Sequence, residues 1–237
     1  MTYRDEISAL MQKETYDFED LKAVMRILRS EDGCPWDREQ DHHSIRVGLI
    51  EETYEVVEAI DREDPSLLRE ELGDLLFQIL FHAQIEQEKN AFNVQDVIND
   101  ITKKMIHRHP HVFGSVTVEN SDEVLSNWEM IKTEEKQRNT LVEKLQAIPP
   151  MMPALMRASK VGKKLGQAEG KSQEALLDHV EAQLQEMRSN PTDGHEKERI
   201  GAILMAVTDL SRSLNIDAEH ALAQYTDRVI DRVAKQN

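Results

Sequence analysis

The sequence predicts an all-α protein, and three observations carry the prediction. Apolar residues recur at three- and four-residue steps through most of the chain. Strand signals are nearly absent, with only Val112-Phe113-Gly114-Ser115-Val116-Thr117-Val118 reading as extended. Ten methionines stand beside only nine glycines and seven prolines, a balance that favours helices.

The elements follow in order. Ile7, Leu10, Met11, Phe18, Leu21, Val24, Met25 and Leu28 predict one long amphipathic helix ending before Gly33, and Gly33-Cys34-Pro35-Trp36-Asp37 is a loop. Ser44 is the expected cap of a second helix over about 45–62. Asp64 followed by Pro65 starts a third over about 65–89. Asn93 opens a fourth that must stop near His109, ahead of Pro110, and Asn120 or Ser121 opens a fifth through Lys136. Pro149, Pro150 and Pro153 mark the clearest boundary, so the expected domains are 1–145 and 146–237. Helices over roughly 153–165, 173–189 and 195–214, and one from Asp217 onward, complete the chain.

Composition narrows the function. A chain of 237 residues that is 39% hydrophobic and 31% charged is neither a disordered tail nor a collagen-like fibre, and no apolar run is long enough to span a bilayer. Its formal net charge of −16 repels polyphosphate at long range, which argues against nucleic-acid binding and requires a metal or a local basic pocket for any phosphate ligand. One cysteine, Cys34, and an N-terminus without the apolar core of a signal peptide point to a reducing cytoplasm.

The chemistry lies in the acids. Glu51-Glu52-Thr53-Tyr54-Glu55 on the second helix and Glu71-Leu72-Gly73-Asp74 on the third each hold an i, i+3 acidic pair, a spacing that costs roughly 0.2–0.5 kcal/mol in repulsion. On an ordinary solvated face such pairs need no explanation. The third helix, however, is apolar around most of its circumference, so it should be mostly buried. Glu71, Asp74 and Gln78, bordered by His82, form a polar stripe along it, with no Lys or Arg within a turn on that stripe. Glu52 flanks the apolar stripe of the second helix with Glu55 one step further out, while Glu51 and Glu58 lie on the far side. Glu52, Glu55, Glu71 and Asp74 are therefore expected to converge across two packed helices. Oxygen donors without cysteine suit Mg²⁺ or Mn²⁺ rather than zinc. A ferritin-like di-iron bundle needs two Glu-x-x-His motifs, and only Glu39 with His42 has that spacing, beside a Pro-containing loop.

These acids, preceded by Gly33-Cys34-Pro35-Trp36-Asp37-x-Glu39-Gln40 and followed by Arg108-His109-Pro110-His111-Val112-Phe113, closely resemble the MazG family of nucleoside triphosphate pyrophosphohydrolases over roughly residues 20–160. The resemblance implies an all-α homodimer that cleaves a nucleoside triphosphate between its α and β phosphates with Mg²⁺, for which Mn²⁺ can substitute. It implies Glu52, Glu55, Glu71 and Asp74 as metal ligands and Glu51 as an outer, water-orienting group. Glu52 or Glu55 would hold or deprotonate the attacking water. Lys104 and Arg108 resemble the family's phosphate-contacting Lys-x-x-x-Arg, although a basic last turn also complements a helix dipole. Trp36 is expected to stack on a base or to cover the core.

The second half reads as a decayed copy, giving two tandem MazG-like bundles of which the second is degenerate. Aligning Gly201 with Gly73 sets Arg199 at Glu71 and Ala202 at Asp74, and Val180–Glu186, set separately against the motif of the second helix, puts Gln183 at Glu52 and Glu186 at Glu55. A structural or dimer-supporting role is expected there. Two other readings are weaker. A narrow-specificity relative, dUTPase-like or phosphoribosyl-ATP-cleaving, disagrees with the tandem layout and the Cys34-Pro35-Trp36-Asp37 loop. A non-catalytic nucleotide-binding scaffold disagrees with the intact first quartet.

Overall fold

The computed structural model describes residues 3–136, 140–189 and 193–236, and all the regular structure among them is helical. The chain divides into two compact units, Met1–Val124 and Leu125–Asn237. Among the described residues no helix is long and apolar enough to cross a membrane.

The first unit starts with a correction. The expected long helix is two, α1 (Tyr3–Met11) and α2 (Phe18–Leu28). Asp17 and Asp20 form a capping box that starts α2 afresh, and Lys13 bonds Asp20 at 2.5 Å across the break. The short α3 (Pro35–Glu39) follows, and then the hairpin of α4 (Arg46–Asp61) and α5 (Pro65–Glu88). Ser44 does not cap α4. Its hydroxyl turns back on Asp41, donating to that carbonyl and accepting from that amide, and Ile45 occupies the cap position with no side-chain bond. Asp64 caps α5 as expected, accepting from the amides of Ser66 and Leu67. Asn93 and Asp96 form the capping box of α6 (Val94–Arg108). The stretch expected to be extended instead opens with a helical turn, α7 (Pro110–Phe113), for which Pro110 supplies the fixed φ of a first helical position. The core is built from Met25, Ile45, Leu80, Phe81, Ala83, Ile85 and Val94.

That core explains a second correction. The buried residues of α5 all lie in its C-terminal half, whereas Leu72, Leu76 and Ile79 are 48%, 37% and 41% exposed. Val47, Ile50, Tyr54 and Val57 of α4 are also exposed, so the unit displays an apolar face instead of burying α5 throughout.

Helix α8 (Ser121–Lys136) runs through the division at Val124. The second unit continues with α9 (Leu141–Gln146), which sequence periodicity missed because six residues are too few to show it. Then come α10 (Ala154–Leu165), α11 (Gln173–Ser189), α12 (Glu196–Ser213) and α13 (Ala218–Ala234). Ile148 is buried and α9 packs on α10, so the proline run turns the chain within this unit. Leu176, Ala206 and Thr208 are its most buried side chains.

Candidate metal centre

Helix α4 carries Glu52 and Glu55 one turn apart, and α5 carries Glu71 and Asp74 at the same spacing. Because these helices pack on each other, the α4 pair meets Glu71. One carboxylate oxygen from each of Glu52, Glu55 and Glu71 lies within 4.8 Å of the others. Asp74 is exposed and outside that trio, yet its charge acts on both Glu52 and Glu71.

The electrostatics show what the arrangement lacks. Burial first, then the charges of Asp74 and Glu55, push the Glu52 carboxyl above the ordinary glutamate range, against hydrogen bonding from Gln78 that favours its charged form. Burial also leads the rise at Glu71, followed by the charges of Glu55, Glu70, Asp74 and Glu58. Among the described residues no lysine or arginine is ion-paired with Glu52, Glu55, Glu71 or Asp74. Carboxylates held together without a cation favour protonation, and a divalent ion removes that conflict. An all-oxygen donor set fits Mg²⁺ or Mn²⁺.

The other expected site residues are not members of this trio. Glu51 is exposed on α4. Trp36 is 63% exposed on α3, so it is not a cover over the core. Lys104 is exposed on α6, while Arg108, one turn later, is buried at 6%.

Three features of the site went unread in the sequence. Gly48 lies one turn before Glu52, where a Cβ would come within 3.1 Å of the Gln78 amide nitrogen, so glycine lets that amide sit between the two helices. Arg29 bonds Glu88 at 2.8 and 2.9 Å and the carbonyls of Asp37 and Gln40, which ties the Trp36 segment to α5. His42 bonds His82 at 2.7 Å and Glu86 at 2.6 Å, extending the polar stripe of α5 by another turn. A glycine inside a helix whose other face is apolar was the one available signal; the arginine and histidine contacts join residues far apart in sequence and had none.

Comparison with known proteins identifies the family of the chain. Residues 40–113 match the MazG nucleotide pyrophosphohydrolase domain, a span that contains all four acids. The nucleoside triphosphate pyrophosphohydrolase/pyrophosphatase MazG of Thermotoga maritima is 39% identical over 220 residues, 92% of this chain and 84% of that protein. The nucleoside triphosphate pyrophosphohydrolase of Escherichia coli is 41% identical over 216 residues, 88% and 82% of the two chains. The protein of that name from Mycobacterium tuberculosis is 37% identical over 149 residues, 60% of this chain and 45% of its own. With its acid-bearing hairpin inside the matched domain and relatives aligned along most of its length, the chain belongs to the MazG family of nucleoside triphosphate pyrophosphohydrolases.

Proposed function

We propose that the first unit hydrolyses nucleoside triphosphates to the monophosphate and pyrophosphate in the cytoplasm, with Mg²⁺ or Mn²⁺ held by Glu52, Glu55, Glu71 and Asp74, and so clears surplus or non-standard nucleotides. The observation that carries this reading is the trio of carboxylates within 4.8 Å, inside the matched domain and without a protein cation. A triphosphate brings about four negative charges to a strongly acidic chain. Bound metal would neutralise that charge, polarise the phosphoryl group and lower the pKa of water.

The chain's own groups supply the rest. Glu52 or Glu55 takes a proton from the attacking water, and Glu51 orients it from outside the trio. The water oxygen bonds to phosphorus as the bridge between the α and β phosphates breaks, and the leaving oxygen carries the electron pair away. Lys104 and Arg108 contact the phosphates, and Trp36, exposed on a segment that Arg29 anchors, stacks on the base.

The exposed apolar face of α4 and α5 supports a homodimer in which two copies cover each other. The second unit is read as the degenerate repeat. Its α11 and α12 pack as a pair, as α4 and α5 do. Arg199, at the position of Glu71, is buried and paired with Asp193, and the charge of Glu186 also acts on it. An ion pair thus replaces the acid cluster, which fits a structural role.

The test is pyrophosphate release from ribo-, deoxyribo- and modified triphosphates, with and without Mg²⁺. Metal-dependent release that disappears in Asp74→Ala is expected. Release that persists without a divalent ion overturns the reading.

A further inference from the structure

The second unit holds a cleft whose charge is the opposite of the carboxylate trio. It encloses about 380 Å³, and lysines from three helices line it: Lys132 from α8, Lys144 from α9, and Lys160 and Lys164 from α10. Glu129 is the one acid among the lining residues. Four ammonium groups against one carboxylate leave the cleft with a formal charge of +3, in a chain whose total is −16.

Folding alone does not favour that arrangement. Lys160 and Lys164 stand one turn apart on α10, a spacing at which like charges repel. The arginines that the fold buries, Arg29 and Arg199, each have a carboxylate partner. In the cleft that role falls to Lys132, whose Nζ lies 3.2 Å from Glu129 and 4.5 Å from the centre of the Trp128 ring. Lys144, Lys160 and Lys164 form no ion pair among the described residues, although the chain contains 45 acids. Lys132 and Lys144 are half-buried and the lining includes the buried Ile148, so water screens these charges less than it screens those of an open surface.

The cation excess selects the ligand. Lysine is a compact point charge that suits phosphate oxygens, without the planar match that arginine makes with a carboxylate. One orthophosphate carries at most about two negative charges at neutral pH, too few to satisfy lysines on three helices. Linked phosphates, as in pyrophosphate or the triphosphate tail of a nucleotide, spread their charge over neighbouring centres, and the cleft falls within the roughly 300–1,000 Å³ of small-molecule sites. A nucleic-acid backbone is disfavoured, because it needs a long positive groove and the chain as a whole repels it. Glu129, already paired with Lys132, gives the cleft no donor set for Mg²⁺, so the anion binds free of metal.

We propose that this cleft is a second anion site, which binds linked phosphates without metal through Lys132, Lys144, Lys160 and Lys164. The unit that lacks the acid cluster thereby gains a use for the chemistry that the first unit handles, since pyrophosphate is a product and a triphosphate the substrate of the proposed reaction. Binding in the cleft does not depend on that reaction, and its failure leaves the hydrolytic reading where it stands.

The test is calorimetry of the full chain in EDTA at low salt, titrated with pyrophosphate, ATP and orthophosphate. Pyrophosphate is expected to bind at one site per chain with a Kd on the order of 10–100 µM, and orthophosphate at least about tenfold more weakly. ATP is expected to compete for the same site, and whichever of the two binds more tightly is the source of the phosphates. Lys144→Gln combined with Lys160→Gln should weaken pyrophosphate about tenfold or more at an unchanged melting temperature, and the pair Lys144→Arg with Lys160→Arg should bind within about threefold of wild type. Glu55→Gln should bind pyrophosphate as wild type does, because in EDTA the carboxylates have no metal with which to hold it. No saturable binding, orthophosphate bound as tightly as pyrophosphate, or affinity that survives the glutamine pair would overturn the site. So would a single-stranded oligonucleotide that displaces pyrophosphate at equal phosphate concentration, since the cleft would then belong to a nucleic-acid surface. Should the glutamine pair fail to fold, Lys164→Gln, at an exposed position, makes the same comparison with a loss of about fivefold.

Discussion

At the scale of the residue, the site is built on carboxylates that the apo fold disfavours. Glu55→Gln and Asp74→Ala should each lower turnover at least 100-fold, about 2.7 kcal/mol in barrier, with the far-ultraviolet circular dichroism unchanged; activity within threefold of wild type would remove them from the site. The pH dependence of stability has a definite sign at Glu52. Its folded pKa lies above the ordinary value, so the stability it allows is fully present below that value and is lost as pH rises through the folded one. Glu52→Gln, neutral at every pH, should therefore melt about 2 °C or more above wild type at pH 7.5 without metal and level with it near pH 4. A lower melting temperature at pH 7.5 would mean that a protein cation holds this carboxylate. The same logic, reversed, applies to Asp193, which Arg199 draws down to about 2, so that pair stabilises above the ordinary aspartate range and is lost in strong acid.

At the scale of the element, the hairpin of α4 and α5 both builds the carboxylate trio and exposes an apolar face. Leu76→Arg, placing a charge in that face, should turn a dimer into a monomer by sedimentation velocity while leaving helicity intact; a wild-type chain that sediments as a monomer would remove the dimer from the account. This hairpin also shows what the sequence made legible. Asp64 with Pro65, and Asn93, announced their helices because a cap bonds amides two and three residues away. The convergence of Glu52, Glu55 and Glu71 was readable because helical periodicity fixes which acids share a face. The break before Asp17 was not, since the apolar period carries across it while the capping box and the Lys13–Asp20 bond decide it. The depth of α5 is not legible in the sequence, because an apolar circumference requires burial without saying by which chain. Ser44 leaves the cap of α4 because a turn with Asp41 competes for the same hydroxyl.

At the scale of the whole molecule, charge separates the two units. Thirteen basic and twenty-eight acidic residues give Met1–Val124 a formal charge of −15, while sixteen against seventeen give Leu125–Asn237 only −1. The acids are concentrated in the unit that contains the trio. Glu186→Gln should consequently leave turnover within about twofold of wild type, where Glu55→Gln abolishes it; equal damage at both would mean that the second unit is not a degenerate copy. The most direct test of the central claim is ³¹P NMR of ATP turnover by the full chain with Mg²⁺, run beside Asp74→Ala. AMP and pyrophosphate should appear in equal amounts with wild type and be absent with the variant. ADP and orthophosphate, or AMP and pyrophosphate undiminished in Asp74→Ala, would contradict the account.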